Sequence, residues 1–323
     1  MNSLKAPIGA IKRCRINSFR IKNSGNLLAI CALFQVVTLI LGCVPPGLNS
    51  LSDSRKMADA HYQIGIAYLH DGKTPQAIRE LLEAQAISSK NPDIEHALGL
   101  AYQQKGLNDQ AIEQYNKALY LDPKLTEARN NLGTVYLTKG MYDEAITQFQ
   151  YCFKDQSYAT PEKAAYNLGL AYYKKKDIDK AVEYYQKAAQ IQPENVNALY
   201  NLGYIFEESK NFSKSIESYR KVVSVEPTFK EAHYRLGLLY ERTGELQKAL
   251  ESLQKAIEVD PNFLPANLQL GKILIRMGNV DKGVSVLQQV FKADPEGELG
   301  KEAMAEIGRA PIRGLPKPKL TVR

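Results

Sequence analysis

From residue 57 onward, apolar residues recur at i, i+3, i+4 and i+7, the spacing that gathers them on one face of a helix. These stretches come in pairs, and the pairs repeat. Seven glycines mark the period: Gly65, Gly99, Gly133, Gly169, Gly203, Gly237 and Gly271 lie 34 residues apart, save one interval of 36. Numbering each unit so that this glycine is position 8, position 7 is Ile64 and then Leu in every later unit. Position 11 runs Tyr68, Tyr102, Tyr136, Tyr172, Phe206, Tyr240, Leu274, and position 24 runs Leu81, Tyr115, Phe149, Tyr185, Tyr219, Leu253, Leu287. Position 20 is small throughout, from Ala77 to Gly283. Positions 4, 7, 8 and 11 share one face of a first helix; 17, 20, 21, 24 and 27 share one face of a second. Turn signals fall between them, at Gly72, Gly106, Gly140, Gly244 and Gly278. Pro123, Pro193, Pro227, Pro261 and Pro295 close five of the units, because proline cannot continue a helix.

A 34-residue helix–turn–helix unit with these residues resembles the tetratricopeptide repeat, over roughly 240 of 323 residues. The resemblance implies an all-α fold, a right-handed superhelical solenoid of about seven repeats spanning 57–295. No single helix pair buries its apolar face alone, so stability comes from stacking neighbours. A glycine inside a helix costs about 0.5–1 kcal/mol against alanine, so seven of them need a packing reason. The pattern suggests position 8 facing the small residue at 20, with 7, 11 and 24 filling the space around them.

Two irregularities interrupt the period. Between the third and fourth units, Phe153 to Pro161 carries two extra residues, with Thr160 as an N-cap and Pro161 as the first helical residue. This longer loop either changes the local stacking angle or projects a contact. In the first unit the boundary proline moves to Pro92, with Asn91 as its cap.

The N-terminus has a different character. Lys5, Lys12, Arg13, Arg15, Arg20 and Lys22 precede an apolar run from Leu27 to Gly42, and no acidic residue occurs before Asp53. A basic region, an apolar core and a small residue before the cut make residues 1–42 a secretory signal. Because the run ends in Gly42-Cys43, it resembles a bacterial lipoprotein signal. That family implies diacylglycerol on the Cys43 thiol, cleavage before it and acylation of the new amine. Val44, where an Asp is absent, implies the outer membrane by the lipoprotein sorting pattern. The competing reading is an uncleaved helical anchor from Leu27 to Val44, just long enough to span. Either way the repeats lie outside the cytoplasm, in the cell envelope. Residues 43–56 read as a short tether. Of the four cysteines, Cys14 and Cys31 fall in the signal and Cys43 takes the lipid. Cys152 remains at position 27, where other units have Ala118, Ala188 and Ala256, so it reads as a buried small hydrophobe.

The net charge of +7 looks like a nucleic-acid signature until it is located. Six positive charges belong to residues 1–42 and five to 309–323, with no acid in either, which leaves residues 43–308 at about −4. A mildly acidic body has no phosphate-tracking stripe, so no nucleic-acid partner is expected. Residues 296–308 read as a closing helix over the last repeat, and 309–323, with Pro311, Gly314, Pro316 and Pro318, as a basic disordered tail.

The search for chemistry returns little. Gly72-Lys73-Thr74 has the end of a phosphate loop, but Ala67 stands where that motif needs glycine. His61, His70, His96 and His233 have no metal-ligand spacing, and His61 and His233 fall at core position 4. No Ser-His-Asp order and no His-Glu-x-x-His helix occurs. The expectation is no enzyme, no cofactor, no metal and no small-molecule substrate.

What remains is the face of the first helices. Its positions 5, 9 and 12 bring up Tyr62, His96, Asn130, Tyr166, Tyr173, Tyr200, Tyr204 and Tyr234. Tyrosine offers large contact area with little rotamer loss and keeps a hydroxyl for bonding, which suits a groove for protein or peptide partners. The alternative is that several of these rings pack against neighbouring repeats. Tetratricopeptide domains that clamp a C-terminal carboxylate use Lys and Asn at positions 5 and 9, where Tyr166 and Leu170, or Tyr62 and Ile66, stand in this chain.

The lipid signal, six or seven repeats and the run from Tyr158 through Ala159-Thr160-Pro161 to Asn167-Leu168-Gly169 resemble the type IV pilus biogenesis lipoproteins, the pilotins. That resemblance implies binding of secretin subunits and their assembly in the outer membrane. A generic envelope adaptor, for instance one recruiting peptidoglycan enzymes, would share the repeats and the anchor. A glycosyltransferase specificity domain would require a catalytic domain this chain lacks.

Overall fold

The computed structural model describes residues 46–310, which form fifteen helices and no strand. They fall into two units that divide after Met57. The expectations for the signal, for Cys43 and for the tail beyond Ala310 lie outside the described residues.

Of the first unit only residues 46–57 are described, and they belong to helix α1 (Pro46–His70). The tether expected over 43–56 is thus helical from Pro46 onward. Proline suits the first helical position, where its missing N–H is not needed. After Gly47 nothing up to Met57 breaks a helix.

The second unit is a stack of helix pairs. After α1 come α2 (Thr74–Ile87), α3 (Pro92–Gln104), α4 (Asn108–Leu121), α5 (Thr126–Thr138), α6 (Tyr142–Lys154) and α7 (Pro161–Lys174). Then follow α8 (Ile178–Ile191), α9 (Val196–Glu208), α10 (Phe212–Val225), α11 (Lys230–Arg242) and α12 (Leu246–Val259). The series ends with α13 (Leu264–Arg276), α14 (Val280–Ala293) and α15 (Glu298–Arg309). Odd-numbered helices are the first of each pair. Every second helix packs on its own partner and on the first helix of the next repeat, and α15 lies against α14 and α13. First helices also meet across repeats, α3 on α5, α5 on α7 and α11 on α13, so they line one side of the stack.

The seven glycines face the partner helix, but position 20 is not what they chiefly make room for. A Cβ on Gly99, Gly133, Gly169 or Gly203 would sit 2.5–2.7 Å from a ring carbon of Tyr115, Phe149, Tyr185 or Tyr219. On Gly65, Gly237 and Gly271 it would meet Leu81, Leu253 and Leu287 at 2.6–2.7 Å. Position 24 therefore lies directly on the glycine. Tyr115, Phe149 and Tyr219 are wholly buried there, so each repeat drives one large side chain through the space a methyl would occupy.

The five turn glycines are needed for a different reason. Their φ values run from 71° to 85°, and a Cβ on Gly72, Gly106, Gly244 or Gly278 would meet nothing within 4 Å. Backbone conformation alone selects them. In the fourth and fifth repeats the same position is Lys176, at φ 69°, and Lys210, at φ 58°. A left-handed L-residue costs about 1–2 kcal/mol, part of which glycine returns through its freer unfolded chain. Lys176→Gly and Lys210→Gly should each raise stability by up to about 1 kcal/mol, read as a higher urea midpoint. Unchanged or lowered midpoints would mean that the lysine side chains stabilise these turns.

The interruption packs inward. Tyr158 is 8% exposed and clusters with Cys152 and Ala164, and the α6–α7 junction is more extensive than the other junctions between repeats. Asp155 organises the loop, accepting from the Ser157 hydroxyl at 2.6 Å, from the Thr126 hydroxyl at 2.7 Å and from the Ser157 backbone N–H at 2.9 Å, and these bonds hold its carboxyl below its ordinary range. Thr160 stands at the N-cap of α7 but its side chain makes no capping bond, so Pro161 and the loop set that helix start. Asn91 does cap α3, accepting from the Asp93 N–H at 2.9 Å. Cys152 is fully buried, and burial pushes its thiol up to about 12.

Candidate protein-binding surface

Tyr62, His96, Asn130, Tyr166, Tyr173, Tyr200, Tyr204 and Tyr234 all lie on odd-numbered helices, and all are half-buried. Several of these rings pack against neighbouring side chains on one side. The position-5 ring rests against the position-24 ring of its own repeat. Centroids are 5.6 Å apart for Tyr166–Tyr185, 5.3 Å for Tyr200–Tyr219 and 5.9 Å for His96–Tyr115. Tyr200 and Tyr234 also meet Phe229 and Phe263, at 5.2 and 5.4 Å. The remaining surface of each ring faces solvent.

Tyr173 and Tyr204 are less engaged with the core. They meet edge to face at 6.3 Å, and the Tyr173 hydroxyl donates to Glu208 Oε2 at 3.0 Å. Partial burial, then that hydrogen bond, pushes the Tyr173 phenol up to about 12. With Leu170, Tyr185, Tyr200 and Asn201 they bound a cleft of about 370 Å³. In the later repeats the same face turns charged: Arg235 pairs with Glu207 at 3.4 Å, Gln269 and Arg276 reach Glu241, and Lys272 reaches Glu302.

A ladder joins the first helices, and sequence reasoning missed it. Asn131 Nδ2 donates to His96 Nε2 at 2.9 Å, Asn167 Nδ2 to Asn130 Oδ1 at 2.9 Å, and Asn201 Nδ2 to the Tyr166 hydroxyl at 3.4 Å. Each rung runs from position 6 of one repeat to position 5 of the repeat before it. The signal was the thrice-repeated Asn-Leu-Gly at Asn131, Asn167 and Asn201, whose asparagine precedes the core leucine. Part of the polar capacity of Asn130 and Tyr166 is therefore spent on holding register.

The first rung is sensitive to acid. Burial lowers the His96 pKa, outweighing the attraction of Glu127 and Asp93, and the neutral ring accepts from Asn131. A group whose folded pKa is depressed contributes stability that is present above its unfolded value, near 6.5, and is lost as pH falls through the folded one. Between pH 7 and 5 the urea midpoint of the wild type should fall more than that of His96→Asn. Parallel decline in both would show that this ring does not carry the effect.

Two other histidines differ from expectation. His61 and His233 are half-buried rather than in the core: His61 Nδ1 lies 2.8 Å from Glu80 Oε2, and His233 Nε2 lies 2.9 Å from the Pro227 carbonyl. A ring nitrogen needs a polar partner, and position 4 is close enough to the edge of the stack to supply one. Among the described residues no group of three His, Cys, Asp or Glu is placed to hold a metal ion.

Comparison with known proteins agrees with the geometry. A tetratricopeptide repeat model matches residues 231–263, a TPR repeat model matches 104–140 and 169–210, and a further tetratricopeptide repeat model matches 196–229 and 264–296. No curated protein sequence matches the chain. Among solved structures, PilF of Pseudomonas aeruginosa is 22% identical, covers 67% of this chain and 96% of its own, and superposes with a TM-score of 0.58. PilW, described as a widely conserved type IV pilus biogenesis factor, is 19% identical over 76% of this chain and 98% of its own, with a TM-score of 0.52. The C-terminal part of a TPR repeat-containing protein from Cytophaga hutchinsonii is 16% identical over 75% and 99%, with a TM-score of 0.63. At these identities the likeness is one of fold. The paired helices, their 34-residue period and the matching repeat models lead to one assignment: the chain belongs to the tetratricopeptide repeat family, and it is a protein-interaction scaffold.

Proposed function

We propose that this scaffold is moored to the cell envelope by a lipid on Cys43 and acts as a pilotin, binding secretin subunits and promoting their assembly in the outer membrane. The observation that carries the reading is the pairing of a Gly42-Cys43 lipidation signal with a seven-repeat stack whose period breaks once, at residues 153–161. The fold likeness to PilF and PilW supports it. Val44 after the cysteine directs the lipidated chain to the outer membrane, where the repeats face the periplasm.

The mechanism needs no chemistry. Tyr166, Tyr173, Tyr200 and Tyr204 are held by helix packing before any partner arrives, so binding does not have to order them. Acyl chains confine the scaffold to the membrane surface on which the partner assembles, which raises the effective concentration of each for the other. An adaptor that recruits peptidoglycan enzymes would use the same groove, and one experiment separates the two.

Deleting the gene should abolish heat-resistant secretin multimers on a gel and leave monomers. Complementation with Tyr173→Ala plus Tyr204→Ala should restore far less multimer than wild type. Truncating a groove anchor typically costs at least about 2 kcal/mol of binding, roughly 30-fold. Intact multimers in the deletion strain would rule out the pilotin role and leave the adaptor.

A further inference from the structure

The stack carries a second candidate surface, on the side of the second helices, and the molecule shows what fits it. Where α8 meets α6 and α7, three rings fill the gap between repeats. Tyr184 stacks on Tyr172 at 5.4 Å with the planes 11° apart, and Phe153 meets Tyr184 edge-on at 5.8 Å. Two lysines cover them: Lys187 Nζ lies 4.6 Å from the Tyr184 centroid and pairs with Glu183, and Lys180 Nζ lies 5.1 Å from that of Tyr172.

One repeat later the frame recurs without two of its rings. Phe206 replaces Tyr172, Lys214 stands 5.4 Å over it as Lys180 does over Tyr172, and Lys221 pairs with Glu217 at 2.8 Å as Lys187 does with Glu183. The places of Phe153 and Tyr184 are taken by Ala189 and Ser218, and Ser218 folds its hydroxyl back onto the Lys214 carbonyl at 2.8 Å. The result is a hollow of about 490 Å³ between α8 and α10, floored by Leu199, Leu202 and Phe206. Those leucines are each 5% exposed, whereas Ala165 and Leu168, under the filled junction, are 0%. Lys187 lies down over its rings and its side chain is 36% exposed; Lys221 has no ring to cover and its side chain is 58% exposed. Across Lys221 the hollow adjoins another, between α10 and α12, lined by Arg220, Tyr240 and Lys248.

We propose that the α8–α10 hollow is a docking site for an aromatic side chain presented by a segment of a partner protein. The partner's ring takes the place that Tyr184 fills in cis one repeat earlier, stacked on Phe206 and covered by Lys221. Ring quadrupoles attract cations placed over their faces, so the lysines favour an aromatic over an aliphatic occupant of equal size. The adjoining hollow accommodates the residues that follow. The hollow and the tyrosine cleft share no lining residue, since α9 turns Leu199, Leu202 and Phe206 to one and Tyr200 and Tyr204 to the other, so a partner docked here leaves that cleft free.

The test uses the full chain in detergent with isotope-labelled leucine methyl groups, and N-acetyl-tyrosinamide as the probe. Titration should shift the Leu199 and Leu202 methyl signals, with affinity in the millimolar range expected for so small a fragment, and leave Leu168 unmoved. N-acetyl-leucinamide should bind several-fold more weakly. Ala189→Phe with Ser218→Tyr rebuilds the filled junction and should abolish the shifts. Should that variant fail to fold, Lys214→Ala with Lys221→Ala changes only exposed side chains and should weaken probe binding about three- to tenfold. Absence of shifts in the wild type, equal binding of the leucine probe, or undiminished shifts in the folded variants would each overturn the proposal.

Discussion

Gly203→Ala should destabilise the chain by about 2 kcal/mol, although alanine is the better helix former. The new methyl carbon would lie 2.7, 2.8 and 3.0 Å from three ring carbons of Tyr219, which is wholly buried and has nowhere to move. Overpacking costs about 1–3 kcal/mol, and three contacts this short on a buried ring put the cost near the upper end, about 3 kcal/mol. The helix-propensity gain of about 0.5–1 kcal/mol opposes it but does not win. The sign should reverse once the ring is removed. In a Tyr219→Ala background, itself destabilised by about 3–5 kcal/mol, Gly203→Ala no longer meets the ring and should stabilise by about 0.5–1 kcal/mol. Urea unfolding of the four chains gives the coupling directly. Equal effects in both backgrounds would refute the account of why glycine recurs at position 8.

The second large effect concerns attachment. On the lipoprotein reading, Cys43→Ser should reduce palmitate incorporation to background, leave a precursor larger by the 42-residue signal, and remove the chain from the outer-membrane fraction. The loss should be complete where the acyl chains carry the whole attachment. Among the described residues no helix is long and apolar enough to cross a membrane. Residues 43–308, at about −4, gain nothing from an anionic lipid surface. One acyl chain gives only marginal attachment, so firm anchoring depends on the set that Cys43 and its amine would carry together. A variant of unchanged size in the same fraction would instead identify residues 27–44 as an uncleaved anchor.

The period that made the fold readable comes from residues whose spacing is dictated by helix geometry. Position 8 must be glycine because position 24 is large, and position 15 must turn left-handed, so both leave a mark every 34 residues. That is why the helix–turn–helix order of the repeats could be anticipated from Gly65, Gly72, Pro123 and their equivalents. What could not be read was which neighbour each side chain meets. The glycines looked matched to Ala77 and its equivalents, yet the closest atoms belong to Leu81 and its equivalents. Tyr158 sits in a loop, where the sequence gives no sign that its ring turns inward. The tyrosines at position 5 were legible as a set, because that position is fixed by the repeat. Their partial burial against Tyr185 and Tyr219 was not, since it depends on how far a position-24 ring reaches. The Asn131, Asn167 and Asn201 ladder was hidden for a related reason: its partner residues lie one repeat away.

The tightened junction around Tyr158 has a mechanical consequence. Repeats that touch only their neighbours bear a pulling force in series, so the weakest seam opens first and sets the yield point. With its inserted residues folded into the seam between α6 and α7, this chain is reinforced near its middle. Under tension it should shed repeats from either end and arrest there, keeping Tyr166 and the helices beside it folded after the outer coils have given way.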